Sequence, residues 1–447
     1  MTPLDPRQTI ANNPMSRLQI IVVALTIGLN ALDGFDVLAI SFASPGISSE
    51  WGIDRAALGI VLSMELIGMC IGSIFLGGVA DKIGRRPTIL GCLVVMSAGM
   101  FLATTATNVY QLSVWRVLTG LGIGGMLASI NAVTAEFSNN KRRHMNVSLM
   151  TIGYPIGAVI GGMVTAQLLK VHDWRSVFYF GSAVTVMFIP LVYFLIPESV
   201  HWLSQKQPNN ALENINRTLA RLKIAAISAL PVVTEESKKK SIGDIFTTGL
   251  LATTIIVTAA YFFHITTFYF ILKWVPKIVV DMGFPASSAA GVLVWANLGG
   301  ALGGALFGLL TLRFSVKWLS IGVMFLSTIL VSLIGKSSPD LQSLSIICAI
   351  AGFCTNAGVV GLYAIFAHSF PTHVRAFGTG FAIGIGRGGA VIAPILAGFL
   401  FATGFELPIV SIIMALGSTI AACALLFLKM HNSEYSPEDS PEERVSS

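Results

Sequence analysis

Twelve apolar runs of about 20 residues, separated by short polar clusters, leave this chain few folds to choose from. A helix of that length crosses a hydrocarbon core about 30 Å thick. Inside such a core every backbone N–H and C=O must find its partner within the protein, which leaves helices or a closed barrel. A barrel strand alternates apolar and polar residues, and these runs do not alternate. The predicted spans lie near 18–43, 56–80, 87–107, 110–136, 144–169, 174–196, 248–272, 287–311, 316–335, 341–369, 374–402 and 406–429. Composition agrees: 11% of residues are charged, against about 25% in a soluble domain. The expected fold class is an all-α membrane protein with twelve transmembrane helices.

The runs group into halves. Residues 1–17 read as a cytoplasmic N-terminal segment without a signal-peptide pattern, 18–200 as one six-helix bundle, 201–247 as a cytoplasmic linker, 248–430 as a second bundle and 431–447 as a polar, disordered cytoplasmic tail. With the N-terminus inside, 20 of the 28 Lys and Arg fall in cytoplasmic segments and six in outer ones, while Arg116 and Arg387 lie within spans. That bias places both termini in the cytoplasm. The formal net charge of +6 sits in loops beside the spans, as membrane orientation requires, so nucleic acid is not an expected partner. The five cysteines, Cys70, Cys92, Cys348, Cys354 and Cys423, all fall in apolar runs and read as packing residues. No nucleotide-binding loop, metal-ligand spacing or nucleophile arrangement is present, and no cofactor is expected.

The halves resemble each other. GSIFLGGVADKIGRRP (Gly72–Pro87) aligns with GALFGLLTLRFSVKW (Gly304–Trp318), pairing Gly77 with Gly308, Lys82 with Arg313 and Arg86 with Lys317. AEFSNNKRRHMN (Ala135–Asn146) aligns with AHSFPTHVRAFG (Ala367–Gly378) at nearly the same offset, pairing Arg143 with Arg375 and Glu136 with His368. Parallel repeats of this kind pack as two bundles related by a pseudo-two-fold axis, with the substrate site between them near mid-membrane.

The charges inside the spans carry the chemistry. Asp33 and Asp36, three residues apart, share a helix face that Asn30 extends. A carboxylate at that depth must be paired, protonated or hydrated. The pair reads as a proton-coupling and substrate-contact site, with a structural hydrogen-bonded pair joining helices one and five as the alternative. Arg387, flanked by glycines in span eleven, offers a planar fork for a carboxylate, either the substrate's or that of Asp33, Asp36 or Glu65. Glu65, mid-span, is read as a second proton site, a polar substrate contact or a structural hydrogen-bonding group. RVLTGLGIGG (Arg116–Gly125) offers glycines for close packing. Its Arg116, near the outer edge, snorkels, pairs structurally or joins proton coupling. Tyr154 and His264 are read as pocket residues, His264 bonding a substrate phenol or a backbone carbonyl. The aromatic-rich seventh span, with Tyr261, Phe262, Phe263, Phe268, Tyr269 and Phe270, reads as packing or ring stacking.

GGVADKIGRRP carries a complete Gly-x-x-x-Asp-Arg/Lys-x-Gly-Arg-Arg/Lys element in Gly77, Asp81, Lys82, Gly84, Arg85 and Arg86. It resembles the signature of the major facilitator superfamily, and the Arg116 element resembles another of its marks. The resemblance implies a cytoplasmic gate at this loop, with Asp81 accepting from arginines and capping a neighbouring helix; the repeat adds the paired Arg143 and Arg375, and Glu136 with His368, as a gate or structural site. GYPIGAVIGG (Gly153–Gly162) misses the Gly-Pro-x-x-Gly-Gly of drug/proton antiporters, with Pro155 two residues early and Gly157-Ala158 where that motif has its glycine pair. LDGFD in span one, PESVHWL (Pro197–Leu203) and GIGRGGAVIAPILAG (Gly384–Gly398) together resemble the aromatic acid/proton symporter family over nearly the whole chain. That likeness implies import of benzoate, hydroxybenzoates, protocatechuate or a ring-cleavage diacid such as cis,cis-muconate, with Asp33 and Asp36 needed for transport. Two positions depart from the pattern: Glu65, where a small residue is expected, and Ala128-Ser129, where Pro-Asn is common, with Asn131 close by. The departures point to a longer or more polar acid.

The expected function is therefore a proton-coupled symporter in a bacterial inner membrane. It takes a small organic anion and protons, works in the lipid bilayer and acts as a monomer. An anion moving inward against about 100 mV costs about 2.3 kcal/mol per uncompensated charge, which protons offset. The alternatives are an importer of nicotinate or a sugar-like metabolite, an efflux antiporter and a non-transporting sensor.

Overall fold

The computed structural model describes residues 5–231, 246, 250–370 and 375–428. Its described residues form fifteen helices: α1 (Pro6–Asn12), α2 (Arg17–Trp51), α3 (Arg55–Ile83), α4 (Arg85–Thr104), α5 (Val109–Glu136), α6 (Arg143–Leu168), α7 (Arg175–Leu195), α8 (Val200–Lys206), α9 (Ala211–Leu222), α10 (Leu251–Asp281), α11 (Ala286–Leu310), α12 (Val316–Ile334), α13 (Leu341–Ser369), α14 (Arg375–Ala402) and α15 (Leu407–Leu426). Twelve of them, α2–α7 and α10–α15, are long and apolar enough to cross a membrane. They match the predicted spans closely, except that α2 and α10 run eight and nine residues past their expected ends. Short polar caps start several of them: Ser16 and Gln19 close a capping box on α2, Asp54 caps α3, Asn108 caps α5 and Asp340 caps α13.

The packing repeats. In the first half α2 packs on α6, α3 on α5, and α4 on both α5 and α7. In the second half the same partners recur six spans later: α10 on α14, α11 on α13, and α12 on both α13 and α15. Two six-helix bundles of like design result. They meet along α3 with α14, α6 with α11, and α2 with α10.

Glycine sets how closely the helices approach. A Cβ at Gly34 of α2 would overlap the Tyr154 carbonyl of α6, and one at Gly157 would overlap the Ala31 carbonyl. The α5 glycines divide between neighbours: Gly120 and Gly124 lie on the α3 backbone, Gly122 and Gly125 against Cys92 of α4. Of the fifth-span glycines, Gly153, Gly157 and Gly161 face α2, and Gly162 lies nearest Val294 of α11.

The two ends of the molecule differ. On the side away from the linker, one apolar core runs through both bundles, joining Leu38, Phe42, Leu58 and Leu62 to Trp274, Ile278, Leu293 and Ala397. On the linker side, α1, α8 and α9 gather a small cluster of their own from Ile10, Val200, Trp202, Leu203, Ile215, Leu219 and Leu222. The N-terminal segment and the start of the linker, read from sequence as polar connectors, therefore fold onto the first bundle. Asn140 donates its amide N–H to the Ala11 carbonyl at 2.8 Å. The tail at 431–447 lies outside the described residues, as does Lys238-Lys239-Lys240.

Gly34→Ala is expected to abolish monodisperse expression in fluorescence-detected size-exclusion chromatography. Gly78→Ala, where an added methyl meets nothing within 4 Å, is expected to behave as wild type.

Candidate functional site

A buried ionic cluster occupies the first bundle, toward the far side. Asp33, Asp36, Glu65 and Arg116 are all at most 2% exposed. Arg116 of α5 is ion-paired with Glu65 of α3. It also donates to the Asp36 carbonyl at 3.0 Å, touches the Met100 sulfur at 3.1 Å and stacks on Phe178. The snorkelling expected of Arg116 does not occur, because Glu65 holds the guanidinium inside the bundle. Glu65, the departure from the family pattern, is thus the counter-ion of the fourth-span arginine.

A second cation joins them. Lys273 of α10 is fully buried, donates to the Val37 carbonyl of α2 and stands 3.8 Å from Glu65. Sequence counting placed Lys273 with the outer loops. The extra length of α10 carries it inside, and its one legible signal was its position a single residue beyond the predicted end of span seven.

Glu65 is held in ion pairs with Arg116 and Lys273, whereas among the described residues the Asp33 and Asp36 carboxyls have neither an ion pair nor a hydrogen-bond partner. The Asp36 carboxyl faces Gly181 of α7, and Asp33 lies beside Cys92 of α4. The alternative of a hydrogen-bonded structural pair joining helices one and five is therefore not realised. Asn30 makes that join instead, donating to the Met150 carbonyl of α6 at 2.7 Å.

Arg387 lies at mid-depth on the interface, half-buried, and donates to Ser73 of α3 at 3.0 Å. Among the described residues it has no acidic partner, so the internal pairing with Asp33, Asp36 or Glu65 is absent in this conformation. Its neighbourhood is phenolic instead. Tyr261, Tyr269 and Tyr363 interact with it electrostatically. The Tyr261 and Tyr363 hydroxyls are 3.1 Å apart, and Tyr154 faces Tyr269 from the first bundle.

His264 is not a pocket residue. Both ring nitrogens are used inside the second bundle, Nδ1 with Ser418 Oγ at 2.9 Å and Nε2 with the Thr355 carbonyl at 2.8 Å. Asn131 turns its amide back to its own Leu127 carbonyl.

Comparison with known proteins follows this geometry. The sequence profile described as Major Facilitator Superfamily matches residues 26–305 and 260–446. The chain belongs to the Major Facilitator Superfamily. It is 29% identical to the gallate transporter of Pseudomonas putida, covering 95% of each chain. It is 30% identical to the 4-hydroxybenzoate transporter of the same species, covering 87% of this chain and 88% of that one. The benzoate transport protein of Acinetobacter baylyi is 27% identical, with 97% and 94% covered. Among solved structures, a D-xylose–proton symporter superposes with a TM-score of 0.70 at 18% identity, with 92% and 96% covered. An inward-facing bacterial homologue of the human lysosomal transporter Spinster gives 0.71 at 14%, with 92% and 97% covered. The last two share the fold. The protein is a multi-pass membrane transporter of this superfamily.

The superfamily loop after α3 is held by a network of polar contacts, with one change of part. Asp81 accepts from Arg85 at 2.7 Å, and Arg85 reaches Glu136 at 3.4 Å. The helix cap is not Asp81. Glu198 of the PESVHWL segment accepts from the Arg85 amide at 2.9 Å, the Arg86 amide at 3.3 Å and its neighbour Ser199 at 2.8 Å, satisfying the first turn of α4. Gly84, at φ +110°, leaves the room Glu198 needs. Arg86 bonds the Tyr193 carbonyl and stacks on its ring, and Trp202 donates to the Asp81 carbonyl. Gly77 makes no close approach here, and Lys82 is exposed. The Arg143 backbone opens α6, while the Arg375 side chain lies outside the described residues. Burial holds the Glu198 carboxyl above the ordinary glutamate value, against its three backbone donors. A raised folded value means the ionised form is the less stable one in the fold, so this contribution improves as pH falls through that value.

Two outcomes follow. Glu65→Leu strands Arg116 and Lys273 as buried, unpaired cations. It is expected to cost about 3–5 kcal/mol, read as a lowered Tm in detergent, whereas Glu65→Asp keeps the charge and loses much less. Glu198→Ala is expected to cost about 1 kcal/mol through the lost cap. Glu198→Gln is expected to stay near wild type and to flatten the dependence of Tm on pH between 4 and 7.

Proposed function

We propose that the protein is a proton-coupled importer of small aromatic carboxylic acids or their ring-cleavage diacids. The observation that carries this reading is Arg387, an interface cation with no acidic partner among the described residues, beside which the Tyr261 ring packs on Gly386. Arg387 takes the substrate carboxylate in bidentate fashion, and Tyr261, Tyr269, Tyr363 and Tyr154 take ring hydroxyls. The relatives' named substrates (gallate, 4-hydroxybenzoate and benzoate) have that chemistry.

Proton coupling rests on a charge count. Three buried carboxyls, Asp33, Asp36 and Glu65, face two buried cations, Arg116 and Lys273. The cluster is neutral only when it holds one proton. Glu65 is engaged by cations, so the proton belongs to the unpartnered aspartates, with Asp36 nearer Arg116 and Asp33 the carrier. The linker side is the cytoplasmic side of a bacterial inner membrane, by the Lys and Arg bias. A monomer suffices, since the site lies between two halves of one chain.

The test is uptake into proteoliposomes under an imposed inward proton gradient, with benzoate, 4-hydroxybenzoate, gallate, cis,cis-muconate and nicotinate as the panel. One acid is expected to accumulate and a protonophore to collapse it. Asp33→Asn is expected to abolish accumulation while retaining counterflow exchange, and Arg387→Ala to raise KM at least tenfold. Uptake that ignores the gradient, or survives Asp33→Asn, would sink the coupling. Failure of every acid would sink the substrate class.

A further inference from the structure

Lys273 sits where the bundles separate. It belongs to the second bundle, yet both groups it addresses, the Val37 carbonyl and Glu65, belong to the first. The seam around it is tight. Ser63 donates to the Val391 carbonyl at 2.7 Å, Gly59 lies on the Pro394 carbonyl, and Trp274 donates to that same carbonyl at 3.2 Å. Arg55 closes the rim onto Asp281 at 3.0 Å. If α10 moves off α2 and α3, as rocking of two bundles requires, Lys273 loses both partners at once.

A buried ammonium adds little net stability over an apolar residue of similar size, so packing alone does not account for it. Its partnership is also lopsided. Glu65 is in closer contact with Arg116, which lies in the same bundle and stays with it when the bundles part. Glu65 therefore keeps a counter-ion in either state, and Lys273 is the group left seeking one. It then faces the far-side opening, through which an organic anion enters.

We propose that Lys273 is the carboxylate receptor of the far-side entrance. Glu65 occupies it in the closed state, and the carboxylate of the incoming acid replaces Glu65 when the bundles part. One anion is exchanged for another, so the ammonium is paired at both stages. The acid then passes to Arg387, deeper along the same interface. This inference rests on the organic-anion reading above.

Two measurements test it. In the first, Ser63→Cys is placed in the seam of a protein whose Cys70 and Cys423 are replaced by serine, and labelled from the far side with a membrane-impermeant maleimide. Lys273→Gln and Glu65→Gln are each expected to raise the labelling rate several-fold, while Lys273→Arg stays near wild type. Unchanged labelling in both variants, in protein that remains monodisperse, overturns the proposal. In the second, counterflow exchange of 4-hydroxybenzoate, which needs no proton gradient, is followed from the far side. Glu65→Gln frees the receptor and is expected to lower KM, whereas Lys273→Gln is expected to raise it at least tenfold. Shifts in the same direction overturn the proposal, because a merely structural pair would impair both alike. If the wild type takes up no aromatic acid, the substrate class has failed, and labelling alone then decides for or against Lys273.

Discussion

A charge in a low-dielectric interior must have a partner, and Glu65 is the partner on which this structure turns. It holds Arg116 inside the first bundle and reaches Lys273 of the second. Through Arg116 it fixes the backbone of α2 at Asp36, where the guanidinium takes the carbonyl. Without it, two cations would lie buried with only carbonyl oxygens to meet them. The placement of Asp33 and Asp36 follows from the same economy. Glu65 and main-chain oxygens engage both cations, and among the described residues no donor reaches the aspartate carboxyls.

The second constraint is steric. Without a hydrophobic force between helices in lipid, close backbone approach is what makes helices adhere. Gly34 and Gly157 bring α2 onto α6, and Gly120 and Gly124 bring α5 onto α3. That second contact presses the α5 backbone against Glu65's own carbonyl and so sets Arg116 within reach of the Glu65 side chain. At the seam, Gly59 and Gly398 do the same for α3 and α14.

The two ends are built differently. The far side is closed by cross-bundle contacts at Arg55, Gly59, Ser63 and Lys273, and the linker-most polar contact between bundles among the described residues is Ser73 with Arg387. The linker-side network works within the first bundle. Asp81, Arg85, Glu136 and Glu198 tie α3, α4 and α5 to the segment after α7. These contacts all lie within the first half of the chain.

The sequence by itself determined the number of spans, their ends to within a few residues except at α2 and α10, and the likeness of the two halves. Those depend on run length and hydropathy, which are local properties. It also marked Asp33, Asp36, Glu65, Arg116 and Arg387 as residues needing an explanation, because a charge inside an apolar run is conspicuous. Partnership was another matter. That Glu65 belongs to Arg116, that Glu198 rather than Asp81 caps α4, and that His264 spends both nitrogens on its own bundle depend on residues brought together from distant parts of the chain. Lys273 shows the limit most clearly. Read in order, it ends an apolar run and looks like a loop residue at the membrane surface. Only the length of α10 and the closure of α2 and α3 over it remove its solvent, and only then does its charge require a partner.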